Sequence, residues 1–392
     1  MPKLDVLFVN PGSRSAVYQN LGAEFSAIEP PSLAALFATY LQQRGQSVAI
    51  IDAPAEELSP QEVAEFCDDF NPLLVVLVIY GFQPSASTQN MSAAGETARA
   101  IKELRPDMQI MMTGTHPAAL PARTLMEEQI DFVCSGEGPR TIAQTVALLK
   151  AKRDDFALVP GLYYKRGGVV LNTAPAELIT NLDEAMPRAA WQLLPMDKYR
   201  AHNWHAFESI EQRSPYASIH TSLSCPFACS FCCIAAPFGG AGKGYRMWSP
   251  KTVGEEIEFL VDAYGVRHLK FVDEMFVLNK AHVLGVCDEI DKRGLGEHLN
   301  IWAYARVDTV RDDQLDRLRR AGFRWLALGI ESASKHVRDG VEKGRFGNEQ
   351  ILTVVRKVQA AGINVIGNYI FGLPDDTHET MHETIALALE AN

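Results

Sequence analysis

The chain of 392 residues is long enough for two or three domains, and with 47% hydrophobic and 22% charged residues it can bury a sizeable core. A formal net charge of −11, with no run of Lys and Arg, argues against a nucleic-acid partner, which would favour a basic face. No segment approaches the roughly 20 apolar residues of a membrane span, and the apolar run in MPKLDVLFVNPG is too short for the core of a secretion signal. A cytoplasmic, reducing location is therefore expected.

In chain order, residues 1–150 alternate short apolar runs with helical periods. KLDVLFVN, QSVAIID, PLLVVLVIYG, MQIMMTG and IDFVCSGEG predict strands, each closed by Gly, Asn, Asp or Pro. PPSLAALFATYLQQRG, SPQEVAEFCDDF, TQNMSAAGETARAIKELRP, PARTLMEEQ and PRTIAQTVALLKAK predict the helices between and after them. The alternation predicts an α/β domain with a doubly wound parallel sheet, whose ligands bind beyond the carboxyl ends of the strands. Residues 151–215 predict a hairpin turned at Gly167–Gly168, then an interdomain linker packed against both neighbours. Residues 216–392 return to alternation, with strands expected at 217–222, 267–272, 299–304, 324–330 and 363–370. Helices are expected at 250–263, 279–293, 312–321, 348–361 and 376–390, which makes five βα units of a partial TIM-like barrel.

Four of the seven cysteines fall within nine positions, in SLSCPFACSFCC. Cys225, Cys229 and Cys232 have the spacing C-x3-C-x2-C in a loop after a predicted strand. Three thiolates in one loop can hold three corners of a four-iron cluster and leave the fourth iron open for a ligand. Two other readings of the residues stand beside it: a zinc site completed by His220, and buried inert thiols. Adjacent residues seldom reach one cube together, so Cys233 is read as a packing neighbour. Cys67, Cys134 and Cys287 are isolated and read as core.

The cysteine spacing, with the aromatic Phe231 inside it, resembles the radical S-adenosylmethionine (SAM) superfamily, and the likeness runs through residues 216–392. The resemblance implies a 4Fe-4S cluster on Cys225, Cys229 and Cys232, with SAM on the open iron. It implies one-electron cleavage of SAM to a 5′-deoxyadenosyl radical, and an electron donor such as a flavodoxin or ferredoxin. KFVDEMFVLNKAHV is similar to the segment that binds the SAM amino group, through Asp273 or Glu274. WAYARVDTV resembles the third-strand segment, with Arg306 near the SAM carboxylate. LGIESAS resembles the ribose and carboxylate segment, carried by Glu331 and Ser332. INVIGNYIFGLPDDT resembles the segment whose backbone, at Gly367, lies against adenine. Family barrels usually have a sixth strand, so the barrel is expected to be incomplete at its C-terminal end.

Residues 111–142, with LFVNPGSRSAVYQNL, IEPPSLAALFATYLQQRG and VAIID, resemble cobalamin-binding domains fused to such barrels. LITNLDEAMPRAAWQLLPMDKYR resembles the interdomain segment of that group. The resemblance implies a Rossmann-like cobalamin domain over residues 1–150. Gly114, Gly136 and Gly138 would let bare backbone approach the corrin, with Thr115, His116 and Glu137 in the same turns. Tyr80, Gln83, Ser85 and Ser87 are candidates to line it. The D-x-H-x-x-G motif that supplies a cobalt-binding His is absent, because His116 in GTHPAA lacks the Asp two residues before it. His116 is read as a loop histidine bonded to backbone, and the lower face of cobalt has no assigned ligand.

The resemblance implies methylation of an unactivated carbon or phosphorus centre in a small-molecule biosynthetic intermediate. The alternative within the same group is oxidative cyclisation or ring rearrangement without methyl transfer. A non-catalytic corrinoid carrier or sensor is a third reading.

Overall fold

The computed structural model describes residues 4–12, 25–81, 83–207, 210–344 and 346–392, and the side chains of Pro84 and Ser85 are outside the description. The chain forms two compact units, Met1–Asn203 with Cys233–Gly244, and Trp204–Cys232 with Tyr245–Asn392.

In the first unit, strands β1 (Val6–Asn10), β2 (Val48–Asp52), β3 (Leu74–Ile79), β4 (Ile110–Gly114) and β5 (Phe132–Cys134) are parallel, in the order β2-β1-β3-β4-β5. This is the doubly wound α/β architecture expected, with the switch in direction between β1 and β3. β3 reads LVVLVI and is buried at every residue, as a central parallel strand covered on both faces must be. The covering helices include α1 (Ser32–Gln42), α2 (Pro60–Phe70), α3 (Met91–Leu104), α4 (Thr115–Ala119), α5 (Pro121–Glu127) and α6 (Pro139–Lys150). α2 starts where Ser59 and Glu62 close a reciprocal capping box, which satisfies two amide donors that the first turn leaves open.

The stretch expected as a linker does more than connect. β6 (Leu162–Arg166) and β7 (Val169–Asn172) form the hairpin at Gly167–Gly168, and β6 pairs antiparallel with β5. Without it the three-residue β5 would present an open parallel edge. The chain that follows is tied to the same unit: Tyr199 Oη donates to Asp52 at 2.8 Å, and the Ala190 amide donates to the Ala35 carbonyl.

In the second unit, β8 (Tyr216–Ile219), β11 (His268–Phe271), β12 (Asn300–Arg306), β13 (Phe323–Glu331) and β14 (Asn364–Tyr369) form one parallel sheet in the order β14-β13-β12-β11-β8. These are the five strands expected of the partial barrel. Helices α7 (Pro250–Tyr264), α8 (Lys280–Lys292), α9 (Asp312–Arg320), α10 (Lys335–Gly340), α11 (Asn348–Ala360) and α12 (His378–Glu390) alternate with them. A short antiparallel ribbon, β9 (Ser222–Leu223) with β10 (Arg246–Met247), stands apart from the sheet. Along β12 the alternation puts Trp302, Tyr304 and Arg306 on one face, opposite Trp325, Ala327 and Gly329 of β13. At the amino ends of the strands, Trp204 meets Trp302 and Trp325 edge-on at 5.1 and 5.4 Å. The cavity there, about 490 Å³ and lined by His205, Arg267, His268 and Arg324, is at the opposite end of the strands from the cysteines.

Candidate functional site

The cysteine loop leaves β8, passes through β9 and reaches Cys225 immediately after Ser224, a non-glycine residue at φ 68°. Two more left-handed non-glycine residues belong to the same unit: Glu331, which closes β13, at φ 66°, and Glu342 at φ 56°. Strain of this kind persists only where surrounding contacts over-determine it. Cys225 is buried, while Cys229 and Cys232 are half-buried. The Cys232 amide donates to the Cys229 carbonyl at 3.0 Å, so the C-x2-C portion closes a turn. The Ser230 amide donates to the Val341 carbonyl at 3.1 Å, and Cys229 Sγ donates to the Glu342 carbonyl at 3.7 Å. Burial pushes the Cys225 thiol up to about 11, with Glu274 and Cys229 adding to the rise. A metal must therefore displace that proton to bind there.

These thiols suit an iron–sulfur cube, in which each thiolate meets its own iron. A zinc site needs a set converging on a single ion, and among the described residues no group of three or more His, Cys, Asp and Glu does so. Burial first, and then the Lys270 charge, push His220 down to about 3. Cys233 falls in the other compact unit, at the start of Cys233–Gly244.

The structure separates the residues expected to contact SAM. Asp273 is buried and already engaged: it accepts from the Thr221 amide at 2.6 Å, the Thr221 hydroxyl at 2.5 Å and the Ser222 hydroxyl at 2.8 Å. Thr221 also meets His282 Nε2 at 2.9 Å. Asp273 thus anchors the approach to Cys225, and Glu274 follows it at the same strand end. Glu331 forms a buried ion pair with Lys343 at 2.6 Å. Ser332 is fully buried, at 3.3 Å from Thr384 Oγ1, and its hydroxyl accepts from the Ser334 amide. Gly367 makes room for Tyr369 within its own strand, since an added Cβ would lie 2.7 Å from that ring. Phe231 is 40% exposed. Sequence reasoning missed Thr221, Phe227, Asp308 and Lys343. The signal for Thr221 was a hydroxyl at one strand end facing an acid at the next.

In the first unit the strand-end loops are held by close backbone packing at glycine and by short polar side chains bonded to main-chain groups. Gly114 sits at φ 144°, and a Cβ there would lie 1.9 Å from the Ile79 carbonyl oxygen. Gly138 makes room for the Phe37 ring, whereas a Cβ on Gly136 would meet nothing nearer than Ala176 at 3.5 Å. Gly114 and Gly138 are thus required by packing inside the unit, whereas nothing in the packing demands a glycine at position 136. The Ser87 hydroxyl donates to the Ile79 carbonyl and accepts from the His116 amide. Thr115 is fully buried, and His116 Nδ1 is 2.9 Å from the Thr88 hydroxyl. Burial holds the His116 imidazole below its usual range, with Arg123 adding to the effect. Glu137 accepts from the Ile179 amide at 2.5 Å. The Asn90 amide group pins the Tyr80 carbonyl at 2.7 Å, while the Tyr80 hydroxyl is buried with no hydrogen-bond partner among the described residues. A buried phenol in that state fits a site that awaits a polar ligand group at the end of β3. The Ser85 side chain is outside the description.

Comparisons with known proteins agree with both halves. The family model described as the Radical SAM superfamily matches residues 219–388, and the B12 binding domain model matches residues 19–146. The chain is 31% identical to an uncharacterized methyltransferase, PH0819, of Pyrococcus horikoshii, over 99% of this chain and 78% of that protein. It is 30% identical to the anaerobic magnesium-protoporphyrin IX monomethyl ester cyclase of Rubrivivax gelatinosus, over 99% of this chain and 66% of the cyclase. Among solved structures, the radical SAM methyltransferase TsrM of Kitasatospora setae, with tryptophan and a SAM analogue bound, superposes with a TM-score of 0.78 at 20% identity, covering 99% of this chain and 71% of TsrM. That likeness establishes the fold.

Proposed function

Because the chain belongs to the cobalamin-dependent radical SAM enzyme family, we propose that it methylates an unactivated carbon or phosphorus centre of a small-molecule intermediate. The observation that carries this reading is the likeness, end to end of this chain, to a protein named as a methyltransferase. Cys225, Cys229 and Cys232 would hold the 4Fe-4S cluster, and Glu274 would meet the SAM amino group. Tyr80 and His116 would border the cobalamin, with no protein imidazole assigned to cobalt because the D-x-H-x-x-G motif is absent. When bound, the cluster supplies the electron that cleaves SAM and the corrinoid carries the methyl group. The chain's own residues fix the cluster loop through Asp273, Thr221 and Ser222, and bury Cys225 away from water. Among the described residues no helix is long and apolar enough to cross a membrane. We place the protein in the cytoplasm, where free thiols stay reduced and a flavodoxin or ferredoxin supplies the electron.

The cyclase likeness favours a second reading, with the same cofactors but no methyl transfer. Anaerobic turnover with reductant, cobalamin and trideuteromethyl-SAM separates the two. A methylase puts the whole labelled methyl in the product and forms S-adenosylhomocysteine as well as 5′-deoxyadenosine. 5′-Deoxyadenosine without S-adenosylhomocysteine or product label would eliminate it in favour of the cyclase.

A further inference from the structure

Arg306 ends β12 with 3% of its side chain exposed. A guanidinium has five N–H donors in a fixed plane. Nε donates to Asp308 Oδ1 at 2.9 Å and Nη2 donates to Oδ2 at 3.0 Å, a bidentate pair. Nη2 also donates to the Lys343 carbonyl. Nη1 donates to Cys229 Sγ at 3.6 Å. The Phe227 ring covers the guanidinium face at 3.8 Å. Gly344 permits this crowding: it sits at φ 143°, and a Cβ there would lie 2.7 Å from Nη2. The Nε/Nη2 edge that would grip a carboxylate is thus occupied by Asp308, and the Nη1/Nη2 edge faces Cys229 Sγ and the Lys343 carbonyl.

The Cys229 thiol also donates to the Glu342 carbonyl, a bond that exists only while the sulfur keeps its proton. A thiolate on iron has lost it, and the carbonyl dipole then opposes the sulfur. Among the described residues Arg306 is the side-chain donor that remains. We infer that Arg306 is a positioning residue for the Cys229 corner of the cluster, whose N–H···S hydrogen bond makes the cluster easier to reduce, and that it does not clamp the SAM carboxylate. Reduction adds negative charge to the cluster and its sulfur ligands, so a directed donor on one of them favours the reduced state. The inference rests on the reading of Cys225, Cys229 and Cys232 as cluster ligands.

The test uses the full chain, reconstituted anaerobically, with iron counted and the reduced cluster followed by paramagnetic resonance during a redox titration. SAM binding is measured by equilibrium dialysis. Arg306→Met should make one-electron reduction about tenfold less favourable, a fall of about 59 mV in midpoint. Phe227→Leu, which loosens the guanidinium, should move the midpoint the same way by less. Both should bind SAM within about threefold of the parent. An unchanged midpoint in Arg306→Met, with SAM binding weakened about tenfold or more, overturns the inference and returns Arg306 to the SAM carboxylate. If Arg306→Met takes up no iron, Phe227→Leu decides on the same two readouts. A parent chain that takes up no iron sinks the cluster reading as well. An iron-loaded parent with both variants at its own midpoint sinks the role of Arg306 alone.

Discussion

The two sets of strand-end loops are built by different means. In the second unit, charged and hydroxyl side chains hold the loops: Asp273 with Thr221 and Ser222, Arg306 with Asp308 and Cys229, Glu331 with Lys343. In the first unit, the loops after β3 and β4 are held where short polar side chains, Ser87 and Asn90, bond main-chain groups and where Gly114 packs on the Ile79 carbonyl, and a phenol is left over. A cluster loop must fix three sulfurs against a small inorganic core, so directional side-chain bonds suit it. A broad corrin is met by surface, and close-packed backbone suffices for that.

The largest effect expected falls on the cysteines. Replacing Cys225, Cys229 or Cys232 with Ala should take iron from about four per chain to a trace and abolish SAM cleavage. Cys233→Ala should keep both. Iron lost from Cys233→Ala but retained by Cys232→Ala would show that the ligand set is misassigned, and the contrast between the loops would lose its second half.

Gly114→Ala tests the first half. It places a Cβ 1.9 Å from a main-chain oxygen at a φ of 144°. The expected cost is about 3 kcal/mol or more, seen in denaturant unfolding, with loss of cobalamin binding. Gly136→Ala, which has room, should cost less than about 1 kcal/mol. Equal costs at the two positions would refute the view that backbone contact organises this unit.

Asp52 sharpens the contrast, because it is a buried carboxylate in the unit organised by backbone. Burial raises it from 3.8 to about 6, against bonds from Tyr199 and Asn10 that lower it. A raised carboxylate favours the fold while protonated. Its contribution is full below pH 3.8 and is lost as the pH rises through about 6. Asp52→Asn should therefore gain relative stability with rising pH, by up to about 3 kcal/mol between pH 4 and pH 8. Thermal melts at the two pH values check it, and a pH-independent difference would show that Asp52 does not titrate in this window.

The strands were legible because their apolar runs are short and sharply closed: LVVLVI reads as a buried parallel strand without any structure. The hairpin was legible at Gly167–Gly168, where both residues take positive φ. Its attachment to β5 was not, since pairing with a strand some 30 residues earlier leaves no local mark. The site was legible as residue types at strand ends but not as partners. Asp273 and Glu274 are adjacent, and sequence offers no means to see that Thr221 and Ser222 occupy the first of them. Arg306 reads as a free cation until Asp308, two residues on, is seen to fold back on it.

The chain leaves the second unit after Cys232 and returns to it at Tyr245, so twelve residues beginning with Cys233 fold with the first. No single cut in the sequence separates the two bodies. A barrel excised from Trp204 onward still carries a segment whose native packing it has lost, while the remaining piece lacks part of itself. Replacing either body with another fold would therefore mean carrying along, or rebuilding, the twelve-residue segment that begins at Cys233.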